Sequence, residues 1–284
     1  MYHRFMSLSV LLVAGIFVSS ATLAEVGRKT LPGQAADTRP FDSHELSGLW
    51  WGDLYAFGLD VPPFTPEGQK RFDANKPAYG SRLGSADAAA STNHVGRRRA
   101  IPPALGNDPV GQCNPLGLMR LLLYSPAPIE IVQTPDRIIN FFEWTWDHRG
   151  IWMDGRQLPD VDAYLPRYNG YSVGRWEGET LVVTTIGFDD RQWIDHFGYP
   201  VSDQARLEER WRRVDYGTLE LSMTLTDPII YTTPWASDLA TFTIVPAELL
   251  KTDEWTGLVE DRCVPADEVN EFNRRVRDPA GGIF

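Results

Sequence analysis

The sequence predicts an all-β protein, its antiparallel strands curled into a lipocalin-like barrel or a strongly curved sheet. An irregular N-terminal segment precedes the sheet and a short C-terminal helix follows it. Three observations predict this class. From residue 127 onward, short β-branched and aromatic runs alternate with turns of two or three residues. Aromatic residues make up 12% of the chain and ten of them are Trp, a surplus that a sheet core or an aromatic-lined pocket would absorb. The 284 residues also suffice for one large domain with a sizeable core. Sequential hairpins of about eight or more strands tend to close on themselves.

Residues 1–24 read as a secretory signal: Arg4 in the first residues, an apolar run over 7–20 (SLSVLLVAGIFVSS), then small residues that place cleavage after Ala24. The run is about 14 residues, short of the roughly 20 that span a bilayer, so no membrane insertion is expected after cleavage. The mature protein is expected in the periplasm or outside the cell. Residues 25–112 form the irregular segment, with apolar periodicity only at 47–58 and one short helix at 65–72. There Thr65 is the N-cap and Pro66 the first helical residue. Residues 113–284 hold the barrel. IEIVQT and RIINFFEW pair around Pro135–Asp136. YSVGRW and ETLVVTT pair around Glu177–Gly178, which sets Trp176 opposite Glu179 and Val173 opposite Val182. ARLEERWRRV pairs with TLELSMTLT across Asp215–Gly217. ATFTIVP and LLKTDEWTGLV supply further strands, and Pro265 opens a helix over 265–276.

Charge and cysteine usage narrow the function. Removing residues 1–24 takes away one Arg and no acid, which moves the formal charge from −11 to −12. Nucleic acid and anionic membrane surfaces need a basic footprint and are not expected partners. Cys113 and Cys263 are the two cysteines. In an oxidising compartment one disulfide is the natural reading, and two buried free thiols are the alternative. The sequence has no CxxC, HxH or HExxH spacing, no GxSxG elbow and no phosphate loop. Neither a metal site nor a cofactor is expected.

The wording from Cys113 onward resembles a family of exported bacterial proteins to which no reaction is assigned. The match runs through Cys113-x-Pro115-x-Gly117, VQTPDRI (132–138), Glu143 with Arg149, and DGR (154–156). It continues in GYSVGRWEGETLVV (170–183), GFDDRQWID (187–195), ERWRR (209–213), DPIIYTTPW (227–235), and Glu260 before Cys263. It covers roughly residues 60–280. The resemblance implies export, one β-rich domain and a Cys113–Cys263 link. Relatives carry Pro-His-Ser where this chain reads Pro200-Val201-Ser202, so a histidine near the mouth loop is absent here.

Candidate site residues come from strands that carry charge among aromatics. FFEWTWDHRGIW (141–152) interrupts its aromatics with four ionisable groups. Read as one strand, 139–149 places Glu143, Asp147 and Arg149 on one face, and Trp144, Trp146 and His148 on the other. Which face lines the lumen stays open, as does an internal salt-bridge ladder. In RLEERWRRV the face of Arg206, Glu208, Arg210 and Arg212 is wholly charged and must meet solvent. Glu209 therefore points inward with Leu207 and Trp211. A carboxylate there is paired, with Arg149 or Arg175 as the available partners, or its pKa rises toward the range of general acid–base work. The loop 187–203 reads as a lid or mouth loop. It carries Asp190, Trp193 and His196, and Trp193 plugging one barrel end is the bland alternative. Two function classes follow. One is a cofactor-independent enzyme using His148, Glu209, Glu143 or Asp190 as acid and base, foremost a lyase, then an isomerase or hydrolase. Its substrate would be a bulky apolar or aromatic small molecule held by Arg149, Tyr171, Trp144, Trp146, Trp193, His196 and Trp211. The other is a lipocalin-like carrier of such a molecule. An unpaired His or Glu at the lumen favours the enzyme, and fully neutralised pairs favour the carrier or a plain core. A filled structural barrel is the third class, and a homodimer is compatible with any of them.

Overall fold

A computed structural model describes residues 37–52, 61–75, 108–123, 127–195, 198–251, 257–260 and 263. The segment read as a secretory signal, the helix expected over 265–276, and His196 lie outside the described residues. The strands, in chain order, are β1 (Gly48–Gly52), β2 (Ile129–Gln133), β3 (Arg137–Phe142), β4 (Asp147–Trp152), β5 (Tyr171–Glu177), β6 (Thr180–Ile186), β7 (Arg206–Asp215), β8 (Thr218–Thr226), β9 (Trp235–Ala236) and β10 (Ala240–Ile244). Strands β1 to β8 pair in sequence order. β10 pairs with both β8 and β1, which closes a nine-strand barrel. β9 pairs with β8 at Thr224–Leu225, beyond the stretch that β10 covers.

Closure depends on β1, which belongs to the segment expected to be irregular. Its Trp50 lies opposite Ile129 on one side and Ile244 on the other. The barrel therefore does not begin at residue 113. Every strand pairing is antiparallel except β4–β5, where Ile151 and Trp152 run parallel to Ser172 and Val173. A parallel pair needs a crossover of a dozen or more residues. Residues 153–170 supply it, and part of this crossover lines a cleft on the outer wall.

Two expected elements are corrected. The run 139–149 is not one strand but the meeting of β3 and β4 in a tight hairpin. Thr145 and Trp146 turn the chain with φ of 62° and 53°. Across it Asn140 faces Arg149 and Phe141 faces His148. In the β5–β6 hairpin the turn lies one residue later than expected, at Gly178–Glu179, so Trp176 faces Leu181 and Val173 faces Thr184. Gly178 takes φ of 59° at the first turn position, a place where glycine pays no steric penalty. The Pro135–Asp136 hairpin forms as expected, with Thr134 and Arg137 bonded to each other around it. Residues 249–251 form a single helical turn rather than a strand.

The two described α-helices flank the barrel. α1 (Pro66–Asn75) starts as the sequence implies, its Gly68 N–H donating to Thr65 Oγ1 at 3.0 Å. α2 (Leu118–Leu123, LMRLLL) is buried on all sides. Its Arg120 is neutralised by a two-pronged bond to Asp108 at 2.9 and 2.7 Å. The barrel interior is packed solid with side chains including Trp50, Trp211, Phe242, Leu181 and Leu221. A barrel of about this strand number has room for little else. Cys113 and Cys263 form the disulfide, with Cα atoms 5.5 Å apart.

Candidate functional site

Strand alternation in β7 puts Leu207, Glu209, Trp211 and Arg213 inward and Arg206, Arg210 and Arg212 outward. Glu209 is wholly shielded from solvent. The Arg149 guanidinium meets it in a fork, Nη1 to Oε1 at 2.7 Å and Nη2 to Oε2 at 2.6 Å. Trp211 Nε1 donates to Oε2 at 3.0 Å, and Thr185 Oγ1 lies 3.5 Å from Oε1, bonded in turn to Ser172 Oγ at 2.8 Å. Both carboxylate oxygens are thus committed, and the charge is cancelled where it sits. Of the two partners the sequence offered, Arg149 is the one used. Arg175 lies on the opposite side of the wall, paired with Glu177.

The other residues expected around this strand do not join it. His148 is exposed on the outer wall, its ring stacked 6.2 Å from Phe141. Glu143, in the β3–β4 turn, accepts the Val259 N–H at 3.1 Å. Trp144 packs against the rim of the core, and Trp146 is exposed beside it. Tyr171 faces outward on β5, where its hydroxyl accepts from Arg156 Nη1 at 3.2 Å. Only Glu209, Arg149 and Trp211 converge in the interior. Splitting 139–149 into a hairpin is the physical reason, because the chain reverses at Thr145 and the assumed common face does not exist.

A second set converges at the barrel mouth. The described parts of the loop, 187–195 and 198–203, cap one end with buried Phe188, Ile194, Tyr199 and Val201. Trp193 bridges to Pro200 and is nearly buried, which makes it chiefly a plug. Asp227 holds the cap to the β8 end by accepting from Ser202 N and Oγ, both at 2.7 Å. Tyr231 donates to the Pro200 carbonyl at 2.9 Å, and burial pushes its hydroxyl pKa well above the ordinary value, with the negative field of Asp195 adding. Between this cap and α1 opens a cleft of about 460 Å³, lined by Trp193, Pro200 and Asp190 on one side and Arg71, Ala74 and Asn75 on the other. Arg71 lies 3.4 Å from Asp190 and also binds Glu67. Arg191 pairs with Asp189, and the guanidinium holds that carboxyl below its usual range.

Sequence reasoning finds Asp190 and Trp193 but misses Arg71, Asn75 and Arg191. Their helix and loop are remote in sequence, and the only available signal is the charged face of the helix that Thr65 opens. Compared with known protein families, curated proteins and solved structures, the chain finds no match in any of the three.

Proposed function

We propose that this chain is an exported carrier of a small apolar or aromatic molecule, which seats in the mouth cleft rather than in the lumen. The observation that carries the choice of carrier over lumen enzyme is the neutralised Glu209. A general acid or base needs a proton-exchanging group facing substrate, and this carboxylate has both oxygens bound within a packed core. The cleft volume is in the range that takes a small ligand. Its Trp193 and Pro200 wall suits an apolar or aromatic body, and Arg71 and Asn75 suit one polar group on it. Export is supported by the N-terminal sequence pattern, by the family resemblance, and by a disulfide that is compatible with an oxidising compartment.

A second reading is a cofactor-independent lyase, isomerase or hydrolase working in the same cleft. It is favoured by Asp190, half exposed there, 3.4 Å from Arg71 and within the electrostatic reach of Arg191. Asp190 would move the proton and Arg71 would hold the developing anion.

The test incubates the purified protein with aromatic ethers, aryl alcohols, esters and terpenoids, and follows retention and product by mass spectrometry. Ala74→Trp fills the cleft from an exposed helix position, and Asp190→Asn removes the acid. Stoichiometric retention without product, lost in Ala74→Trp, is the expected result. Turnover that Asp190→Asn abolishes would replace the carrier with the enzyme. Retention unchanged by Ala74→Trp would remove the cleft from both readings.

A further inference from the structure

The second cleft, also about 460 Å³, lies on the outer wall between the crossover after β4 and the faces of β5, β6 and β7. The DGR stretch (154–156) and the start of the GRWEG stretch (174–178), about 20 residues on, meet there, with Arg206 of β7 beside them. Three arginines line it, Arg156, Arg175 and Arg206, and no Asp or Glu does among the described residues. In a chain of formal charge −11 this is an unusual concentration. We infer that this groove is a binding site for a small organic oxyanion, a carboxylate or phosphate carried on a compact apolar body.

The three arginines are prepared to different degrees. Arg156 is held rigid: Asp154 takes its Nε and Nη2, the Tyr171 hydroxyl accepts from Nη1, and the guanidinium lies 3.6 Å over the Trp152 ring. Each Nη keeps an N–H that these bonds do not use. Arg175 gives one Nη2 hydrogen to Glu177 and keeps the rest of its fork. Arg206 is exposed, and no ion pair to it is formed among the described residues. Asp154 and Glu177 orient their arginines from outside the lining. The planar fork of arginine matches carboxylate and phosphate oxygens two at a time, which a lysine would not. Leu158 and Val173 offer the apolar contact, and Gln157 a further amide. Gly155 takes φ of 80° and has no atom within 4 Å of where a side chain would begin, which leaves the lip of the groove open. The groove is separate from the mouth cleft, and its assignment does not rest on the carrier reading.

The experiment titrates phenyl phosphate, benzoate and neutral phenol into the purified full chain at low salt, by calorimetry and by amide NMR. At least one of the two anions is expected to bind saturably, with shifts centred on residues 155–158 and 173–175, and at least tenfold more tightly than phenol. Arg206→Gln, a change at an exposed position, is expected to weaken that binding about tenfold or more, the scale for losing charge-assisted bonds. Ala74→Trp, in the other cleft, is expected to leave it unchanged. Binding of neither anion would overturn the inference. So would equal affinity for phenol, or affinity that survives Arg206→Gln. If the shifts and the loss of binding follow Ala74→Trp instead, the anion belongs to the mouth cleft and the groove is not its site.

Discussion

Glu209 and Arg149 reach each other through the interior of the barrel from strands that are not neighbours, β7 and β4, at positions 60 apart in sequence. The pair joins two parts of the wall that no ladder of backbone bonds connects directly. Removing one partner leaves a buried charge without compensation, at a cost of about 3–5 kcal/mol. Glu209→Gln keeps an acceptor for Trp211 Nε1 but orphans the guanidinium, so it should lose stability on that scale. Adding Arg149→Met removes the orphaned charge and should recover most of the loss. Urea unfolding of the two single variants and the double variant checks this. Losses that simply add would mean that the pair is not coupled in the folded state.

Tyr231 should make stability depend on pH at the alkaline end. Burial raises its hydroxyl pKa in the fold, so the folded protein favours the neutral form. Its contribution is therefore full below the unfolded tyrosine value near 10 and fades as pH rises beyond it, by up to about 1.4 kcal/mol per pH unit. Tyr231→Phe lacks the titration and also lacks the bond to the Pro200 carbonyl, worth about 1 kcal/mol. At pH 8 the Phe variant should be the less stable, and the gap should shrink and then reverse above about pH 10. A gap that stays constant across that range would show that Tyr231 does not change its protonation on unfolding.

The inward direction of Glu209 was legible because Arg206, Glu208, Arg210 and Arg212, which alternate with it, are all charged and can face only water. The hairpin at 143–146 was not. No Gly, Pro or Asn marks it, and Thr145 and Trp146 adopt positive φ that their side chains do not favour. The reversed β4 places Arg149 opposite Asn140. The role of β1 was hidden for a different reason. Closure pairs it with β10, whose Ile244 lies 194 residues beyond its partner Trp50, and local pattern cannot say which remote edge a strand will fill. The same limit hid the mouth cleft, three of whose eight lining residues come from α1.

The disulfide offers a test of how the chain beyond β10 is tied to the segment that leads into α2 and β2. Cys113–Cys263 spans 150 residues. A link of that span restricts the unfolded chain by roughly 4–5 kcal/mol in the chain-entropy account, and measured values for native bridges run at about 2–5 kcal/mol. Reduction, or Cys113→Ala with Cys263→Ala, should lower the urea midpoint correspondingly and leave the far-ultraviolet dichroism of the barrel intact. Loss of the β signal on reduction would mean instead that the barrel cannot close without the bridge.

Gly68 sets two opposing effects against each other in one substitution. Alanine is the better helix former by about 1 kcal/mol, which alone would stabilise α1. Yet a methyl group at Gly68 would lie 2.1 Å from the Ile230 carbonyl oxygen and 2.9 Å from its carbon. That carbonyl already accepts the Thr65 N–H, and its turn is pinned by Asp227, which takes the N–H groups of Ile229 and Ile230 as well as Ser202. Neither backbone can yield cheaply, so α1 must lift from the barrel end. Overpacking of this kind costs about 1–3 kcal/mol, which outweighs the propensity gain. Gly68→Ala should therefore lower the melting temperature. Because Arg71, Ala74 and Asn75 ride on the same helix, it should also weaken any ligand held in the mouth cleft while leaving oxyanion binding at Arg206 untouched. A rise in melting temperature would show that α1 does not dock at this distance, and the cleft built on that docking would fall with it.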